Sequence, residues 1–158
     1  MLRDLIEQQA FDDGVTLVSF PFETGPKAAY YRTEGSLAVA AISSNIEDPH
    51  DWNVQALHEV KHHETCVYDL AKVPRLVRQK YEALADRRML RDCMPLCKIV
   101  EAFEHGACNL YDFAYYLEIT EEFFVKGLLL YQQICGPSFV CSGYVIFFDP
   151  FYISMESK

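Results

Sequence analysis

Hydrophobic and polar positions in the N-terminal part of the chain follow two different periods. Leu2, Leu5 and Ile6 fall on one side of a helical projection, which predicts a short amphipathic helix over residues 2–11. The apolar residues that follow come in short β-prone runs, separated by turn residues such as Glu34-Gly35. Three short strands with tight turns predict a small antiparallel sheet, with strands over 15–20, 28–32 and 37–42.

From residue 48 onwards the pattern becomes helical. Asp48 is a suitable N-cap and Pro49 a suitable first helical residue, so we expect a helix over 49–67. The apolar positions of this helix that should pack on the sheet are Trp52, Val54, Leu57 and Val60. Further helices are predicted over 75–93, 95–105, 110–118 and 121–134, with Asn109 and Thr120 capping the last two.

The composition changes again from Gly136, where the chain becomes aromatic and β-prone. This segment is expected to add a strand to the sheet or to cover an apolar groove. The predicted class is α+β, and the helices over 110–118 and 121–134 resemble a helix-turn-helix. We expect three segments, namely a core over 1–106, a helical pair packed on it over 107–135, and an aromatic extension over 136–158.

The charge balance limits the classes of partner. The formal net charge of −9 and the pI of about 4.9 argue against a broad basic surface for nucleic acid, so the helical pair is interpreted as packing. No apolar run approaches the roughly 20 residues of a membrane span. The N-terminal residues carry acids and glutamines where a signal peptide needs an apolar stretch. We therefore expect a cytoplasmic protein whose six cysteines are reduced.

One short stretch carries most of the candidate chemistry. His58-Glu59-Val60-Lys61-His62 has the form His-Glu-x-x-His, and residues four apart share one face of a helix. His58 and His62 can therefore offer two imidazoles to one metal ion, and Glu59 can act as a general base beside it. Two imidazoles and an open position suit catalytic zinc. A helix with surface histidines remains the alternative, and a third ligand is needed to decide between them.

The next helix offers that ligand. Glu82 lies 20 positions after His62, and Glu82 and Asp86 are four apart on one helical face. One carboxylate can reach the metal while the other accepts a hydrogen bond from the far nitrogen of a ligand histidine. The alternative is a solvated acidic face paired with the arginines that follow it, and the upstream motif favours the ligand interpretation.

Together these residues resemble a known family. The combination of His58-Glu59-x-x-His62, Glu82-x-x-Ala85-Asp86 and Met94-Pro95 is similar to ImmA/IrrE-type metallopeptidases, which are gluzincin-like enzymes of bacteria, mobile elements and prophages. The resemblance covers about residues 10–131. It implies a zincin-type helix pair followed by a helical C-terminal segment. With the sequence pattern, the expected fold is the small three-stranded antiparallel sheet packed on that helix pair, then the helical segment and a possible extra strand from the aromatic extension.

The resemblance also implies an activity and a set of roles. The activity is zinc-dependent endopeptidase cleavage of a regulatory protein, such as a repressor, and the protein is expected to be encoded on a prophage or mobile element. Matched residue by residue, the zinc ligands are His58, His62 and Glu82, the general base is Glu59, and Asp86 supports a ligand histidine.

This sequence departs from the residue pattern of the family at two places, and it leaves the oxyanion-stabilising residue open. The family usually has glycine where Lys61 stands, so Lys61 should point to solvent or crowd the site; the arginine-rich run 87–93 also departs from the family. No family role can be assigned to His63, which is expected to be a surface or loop-edge residue. Candidates for the donor to a developing oxyanion are Tyr30, Tyr31, Tyr115, Tyr116 and His105.

The alternative function is a metal-binding module with little or no protease activity that sequesters a repressor or host protein.

Overall fold

The computed structural model describes residues 1–32, 37–65 and 73–156. Six helices and six strands lie within these residues, and the fold is α+β as predicted. The elements are α1 (Leu2–Asp12), β1 (Val15–Phe20), β2 (Ala28–Arg32), β3 (Ala38–Ser43), α2 (Pro49–Thr65), α3 (Arg75–Cys93), α4 (Leu96–Glu104), α5 (Leu110–Tyr116), α6 (Glu121–Cys135), β4 (Ser138–Cys141), β5 (Tyr144–Phe148) and β6 (Phe151–Met155). The predicted turn at Glu34-Gly35 and the last two residues of the helix predicted over 49–67 lie outside the described residues.

Contacts within the chain divide it into two compact units, Met1–Met89 and Leu90–Lys158, with the boundary inside α3. The three-segment division expected from the sequence stays a prediction. In the described ranges no helix combines the length and apolar character needed to cross a bilayer.

The sheet of the first unit is mixed, with strand order β1-β3-β2. β2 and β3 are antiparallel, as expected, but β1 pairs with β3 in parallel, so the prediction of an all-antiparallel sheet was wrong. The physical reason lies in β3, whose Ala38, Ala40 and Ile42 are all buried. A strand so uniformly small and apolar takes the central position, where both of its edges are paired. β2 pairs with one edge of β3 in the antiparallel direction, which leaves the other edge to β1; because β1 runs opposite to β2, it is parallel to β3.

Helix α2 packs on this sheet through Ala56, Leu57 and Val60, which are buried. Trp52 and Val54, predicted to share this role, are only half-buried. The helix begins as expected, since the carboxylate of Asp48 accepts the backbone N–H of His50 at 2.9 Å. The sheet therefore fixes the helix that carries His58, Glu59 and His62.

In the second unit the aromatic C-terminal segment forms a sheet of its own, with order β4-β5-β6 and antiparallel pairing throughout. The expectation that it would add a strand to the first sheet was wrong. The hairpin between β4 and β5 turns on Ser142 and Gly143, both at positive φ, which is the two-residue turn that suits the strand twist. Two tight turns let the segment pair with itself, and Ile146 and Phe148 of its central strand are buried.

Packing of α1 can be tested with two neighbouring residues. Ile6 is 1% exposed and Leu5 is 59% exposed. We expect Ile6→Ala to lower the free energy of unfolding of the first unit by about 2–5 kcal/mol, because it leaves a cavity. Leu5→Ala is the matched control and should change it by less than about 0.5 kcal/mol. The fluorescence of Trp52, the sole tryptophan, reports this unit during urea unfolding. Equal effects of the two substitutions would contradict the described packing.

Candidate metal centre

Helix α2 presents His58 and His62 on one face, one turn apart. Their ring centroids are 4.5 Å apart and the ring planes are nearly perpendicular, at 89°. His62 is buried, and the side chain of His58 is 21% exposed. The spacing read from the sequence therefore brings the two imidazoles together in the fold.

Glu82 of α3 completes the group. Its Oε2 atom lies 2.8 Å from Nε2 of His58 and 3.3 Å from Nε2 of His62. One ligand atom from each of the three residues lies within 4.8 Å of the other two, so this group can hold a metal ion. The third ligand proposed from the sequence is thus the carboxylate that the fold places between the two imidazoles.

The donor spacing can be compared with that of a bound ion. Tetrahedral zinc with ligand distances of about 2.0–2.2 Å separates its ligand atoms by roughly 3.3–3.5 Å. The 3.3 Å contact between His62 and Glu82 already fits, and the 2.8 Å contact between His58 and Glu82 needs to open by about half an ångström. Nε2 is the nitrogen of His62 that takes part in the group, since it is the one that contacts Glu82, while Nδ1 is buried and has no hydrogen-bond partner among the described residues. The residues fit a tetrahedral metal site.

Asp86 lies one helical turn after Glu82 and is buried. Its Oδ1 atom is 3.4 Å from Nδ1 of His58, on the far side of that ring from Glu82. A carboxylate at Nδ1 favours the tautomer in which Nε2 is the metal-binding nitrogen. This is the position proposed for Asp86 from the sequence.

Glu59 follows His58 and is also buried. Burial raises the pKa of its carboxyl group, although the nearby His58 and His62 act in the opposite direction. The carboxylate also accepts a hydrogen bond from the backbone N–H of Tyr30. A carboxyl group whose pKa is raised towards neutrality can both take and return a proton.

The electrostatics of the group show how it is held together without a metal. Burial alone would lower the pKa of His58, but its hydrogen bonds to Asp86 and Glu82 outweigh burial and raise it to about 9. Hydrogen bonds from His58 and His62 hold the pKa of Glu82 well below its usual range. A metal ion that binds this group would therefore have to displace the proton that His58 shares with Glu82.

Sequence reasoning missed the contacts of His63. This residue is half-buried, and its Nδ1 shares a 2.8 Å hydrogen bond with the hydroxyl of Tyr30, a contact that the expectation of a surface or loop-edge residue did not include. The Tyr30 ring lies 6.0 Å from the His63 ring and 6.5 Å from the His62 ring. Two adjacent histidines at the end of the motif were a signal in the sequence, but nothing there indicated a partner on β2.

The other candidates for an oxyanion donor have different surroundings. Tyr31 points away from Tyr30, as neighbours on a strand do, and is 53% exposed. In the second unit, the hydroxyl of Tyr116 donates to Glu101 at 2.9 Å, its ring lies near His105, and Tyr115 is exposed. In the first unit, Tyr30 is thus the candidate that lies beside the ligand histidines.

The backbone of Tyr30 also faces the site. Ser43 donates its N–H to the carbonyl of Lys27 at 2.8 Å, which fixes the alternation of hydrogen bonds between β2 and β3. Counting from that pair, Ala29 and Tyr31 bond towards β3, whereas Ala28 and Tyr30 direct their backbone groups to the outer edge of the sheet. The contact between the Tyr30 N–H and Glu59 follows from this alternation.

Lys61 neither points to solvent nor enters the metal group. Its side chain is 0% exposed and its ammonium group contacts the carboxylate of Glu64. Glu64 also accepts a 2.7 Å hydrogen bond from Gln9 of α1. The lysine at the position where the family usually has glycine is therefore directed to the side of α2 that packs near α1.

Comparison of this chain with models of protein families, with curated proteins and with solved structures found no match. The resemblance to ImmA/IrrE-type metallopeptidases accordingly stays a prediction that depends on the motif residues.

The charge state of His58 leads to a prediction about pH. Because its pKa is raised from 6.5 to about 9, the stability it contributes is fully present below pH 6.5 and is lost as pH rises through 9. We expect the free energy of unfolding of the metal-free protein to fall by on the order of 2–3 kcal/mol across this window. Urea unfolding followed by Trp52 fluorescence measures it, with His58→Gln as the control that should lack this fall. Parallel pH profiles for the two proteins would contradict the assigned contacts.

Proposed function

We propose that this chain is a zinc-dependent endopeptidase that hydrolyses peptide bonds of a regulatory protein such as a repressor, encoded on a prophage or mobile element and acting in the cytoplasm. The observation that carries the proposal is the position of Glu82 Oε2 at 2.8 and 3.3 Å from the Nε2 atoms of His58 and His62, with the buried carboxylate of Glu59 on the same helix. Two imidazoles and one carboxylate are the protein ligands of many catalytic zinc sites, where the fourth position stays open. Zinc held there would polarise the carbonyl of the scissile bond and lower the pKa of a water molecule.

The remaining chemistry belongs to residues of the chain. Glu59 takes the proton of the attacking water and returns it to the leaving amine, a role that suits a carboxyl group with a raised pKa. Asp86 keeps the His58 ring oriented, so that its Nε2 remains directed at the metal.

The position of β2 supports a peptide as the substrate. It is an edge strand, and the backbone groups of Ala28 face outwards on the same edge as the Tyr30 N–H, which is bonded to Glu59. An extended peptide can add to such an edge through main-chain hydrogen bonds, which would bring one of its carbonyl groups near the metal ligands. The identity of the regulatory substrate rests on the family resemblance.

A second candidate function is a module that binds metal and sequesters a repressor or host protein without cleaving it. Exposed apolar side chains on the second sheet favour it, with Val140 51% and Tyr152 48% exposed on the same face. The buried Glu59 favours the peptidase instead, since a purely structural site needs no base beside its ligands.

The first test is the metal content. We expect about one zinc ion per chain by elemental analysis of protein purified without chelator. Glu82→Ala should lose most of this zinc, because only two ligands remain, whereas Asp86→Asn should weaken zinc binding by roughly 10–100-fold. Glu47→Ala, which removes an exposed carboxylate, is the control and should keep its zinc. Wild-type protein that takes up no zinc on reconstitution would refute the proposal.

The second test separates cleavage from sequestration. Zinc-loaded wild type and Glu59→Gln are incubated with a proteome-derived peptide library, and new termini are identified by mass spectrometry. Glu59→Gln keeps the shape of the side chain but cannot accept the proton, so cleavage should fall by at least about 100-fold while zinc content is unchanged. Absence of new termini with zinc-loaded wild type favours sequestration.

A further inference from the structure

Tyr30 contacts helix α2 at two points. Its backbone N–H donates to the carboxylate of Glu59, and its hydroxyl shares a 2.8 Å hydrogen bond with Nδ1 of His63. Glu59 and His63 are four residues apart, so they lie one above the other on the same face of the helix. Tyr30 of the edge strand β2 therefore contacts two residues of α2 that lie one helical turn apart.

These two contacts depend on each other geometrically. The side chain of Tyr30 starts at the backbone that bonds to Glu59, and its ring runs past His62 to reach His63. If the hydroxyl is held at His63, the backbone of β2 is fixed along the helix axis and its N–H stays directed at Glu59. Release of the hydroxyl leaves the edge strand without this restraint, because β2 is paired on its other edge alone.

We propose that Tyr30 and His63 act as a clamp that positions the Glu59 carboxylate, with His63 holding the Tyr30 hydroxyl and Tyr30 holding Glu59 through its backbone N–H. The base of a peptidase must be held within a narrow range of orientations to work efficiently. Both clamp residues are positioning residues. The existence of the clamp is independent of the metal, while its effect on turnover rests on the proposed peptidase function.

Amide hydrogen exchange tests the clamp without any assay of activity. In metal-free protein, the amide of residue 30 should exchange about fivefold to tenfold faster in Tyr30→Phe and in His63→Ala than in wild type, because each variant removes one hydrogen bond that restrains β2. The amide of residue 31 is the internal reference, since it bonds inwards to β3, and its exchange should change by less than about twofold. Tyr31→Phe, which alters the exposed neighbour, is the matched control and should behave as wild type.

Two further variants make the result specific. The double variant Tyr30→Phe/His63→Ala should exchange at residue 30 no faster than the more affected single variant, since both changes break the same bond. His63→Asn places an amide close to the position of Nδ1 and should restore slow exchange. Unchanged exchange at residue 30 in both single variants, additive effects in the double variant, or equal acceleration at residues 30 and 31 would each overturn the clamp.

The effect of the clamp on turnover is then tested by kinetics, with a peptide that the wild type cleaves. Tyr30→Phe and His63→Ala should lower kcat by about tenfold with KM within about twofold of wild type, because the orientation of the base matters in the transition state. Zinc content should stay unchanged, and His63→Asn should recover most of the rate. Unchanged kcat in variants with accelerated exchange would overturn the positioning role. If the wild type cleaves nothing, the peptidase proposal fails and the exchange experiment alone decides the clamp.

Discussion

The shared contact of Glu82 Oε2 with the Nε2 atoms of His58 and His62 is the interaction on which the site depends. It joins two helices whose contributing residues are 20 or more positions apart in the chain. The contact places a negative charge between two imidazoles, which stabilises the protonated form of His58. A metal ion bound at this point would take the place of the proton shared by His58 and Glu82, and their 2.8 Å contact would open by about half an ångström.

Sheet and helix together make this contact possible. The buried alanines of β3 form a flat apolar surface, and α2 lies on it through Ala56, Leu57 and Val60. The polar residues of the motif then fall on the remaining sides of the helix, His58 and His62 towards Glu82, and Glu59 and His63 towards the edge strand. Lys61 and Glu64 connect a further side to Gln9 of α1. Residues of the first unit thus contact helix α2 on most of its sides.

Local signals in the sequence were sufficient for the helices, for the first three strands and for the residues of the candidate metal group, but not for the three strands that follow Gly136. The bounds of β1, β2 and α3 match the predicted ranges, because turn residues and proline mark their ends. His58, His62 and Glu82 were found because helical spacing places them on shared faces. The parallel pairing of β1 with β3 was not predictable, since turns indicate where strands end and not which edge of the sheet each takes. The partners of Tyr30 and Lys61 were missed for a related reason, because tertiary packing determines them.

The ligand residues differ in how far solvent reaches them. The side chain of His62 is 3% exposed, that of His58 is 21% exposed and that of Glu82 is 41% exposed. Access to the centre is therefore one-sided. An incoming chelator meets the carboxylate first, and an ion leaving the site would part from Glu82 before it parts from His62. Exchange of a bound ion would then depend on motion of the Glu82 side chain on α3, so substitutions on that helix would alter the rate of exchange without any change to the histidines.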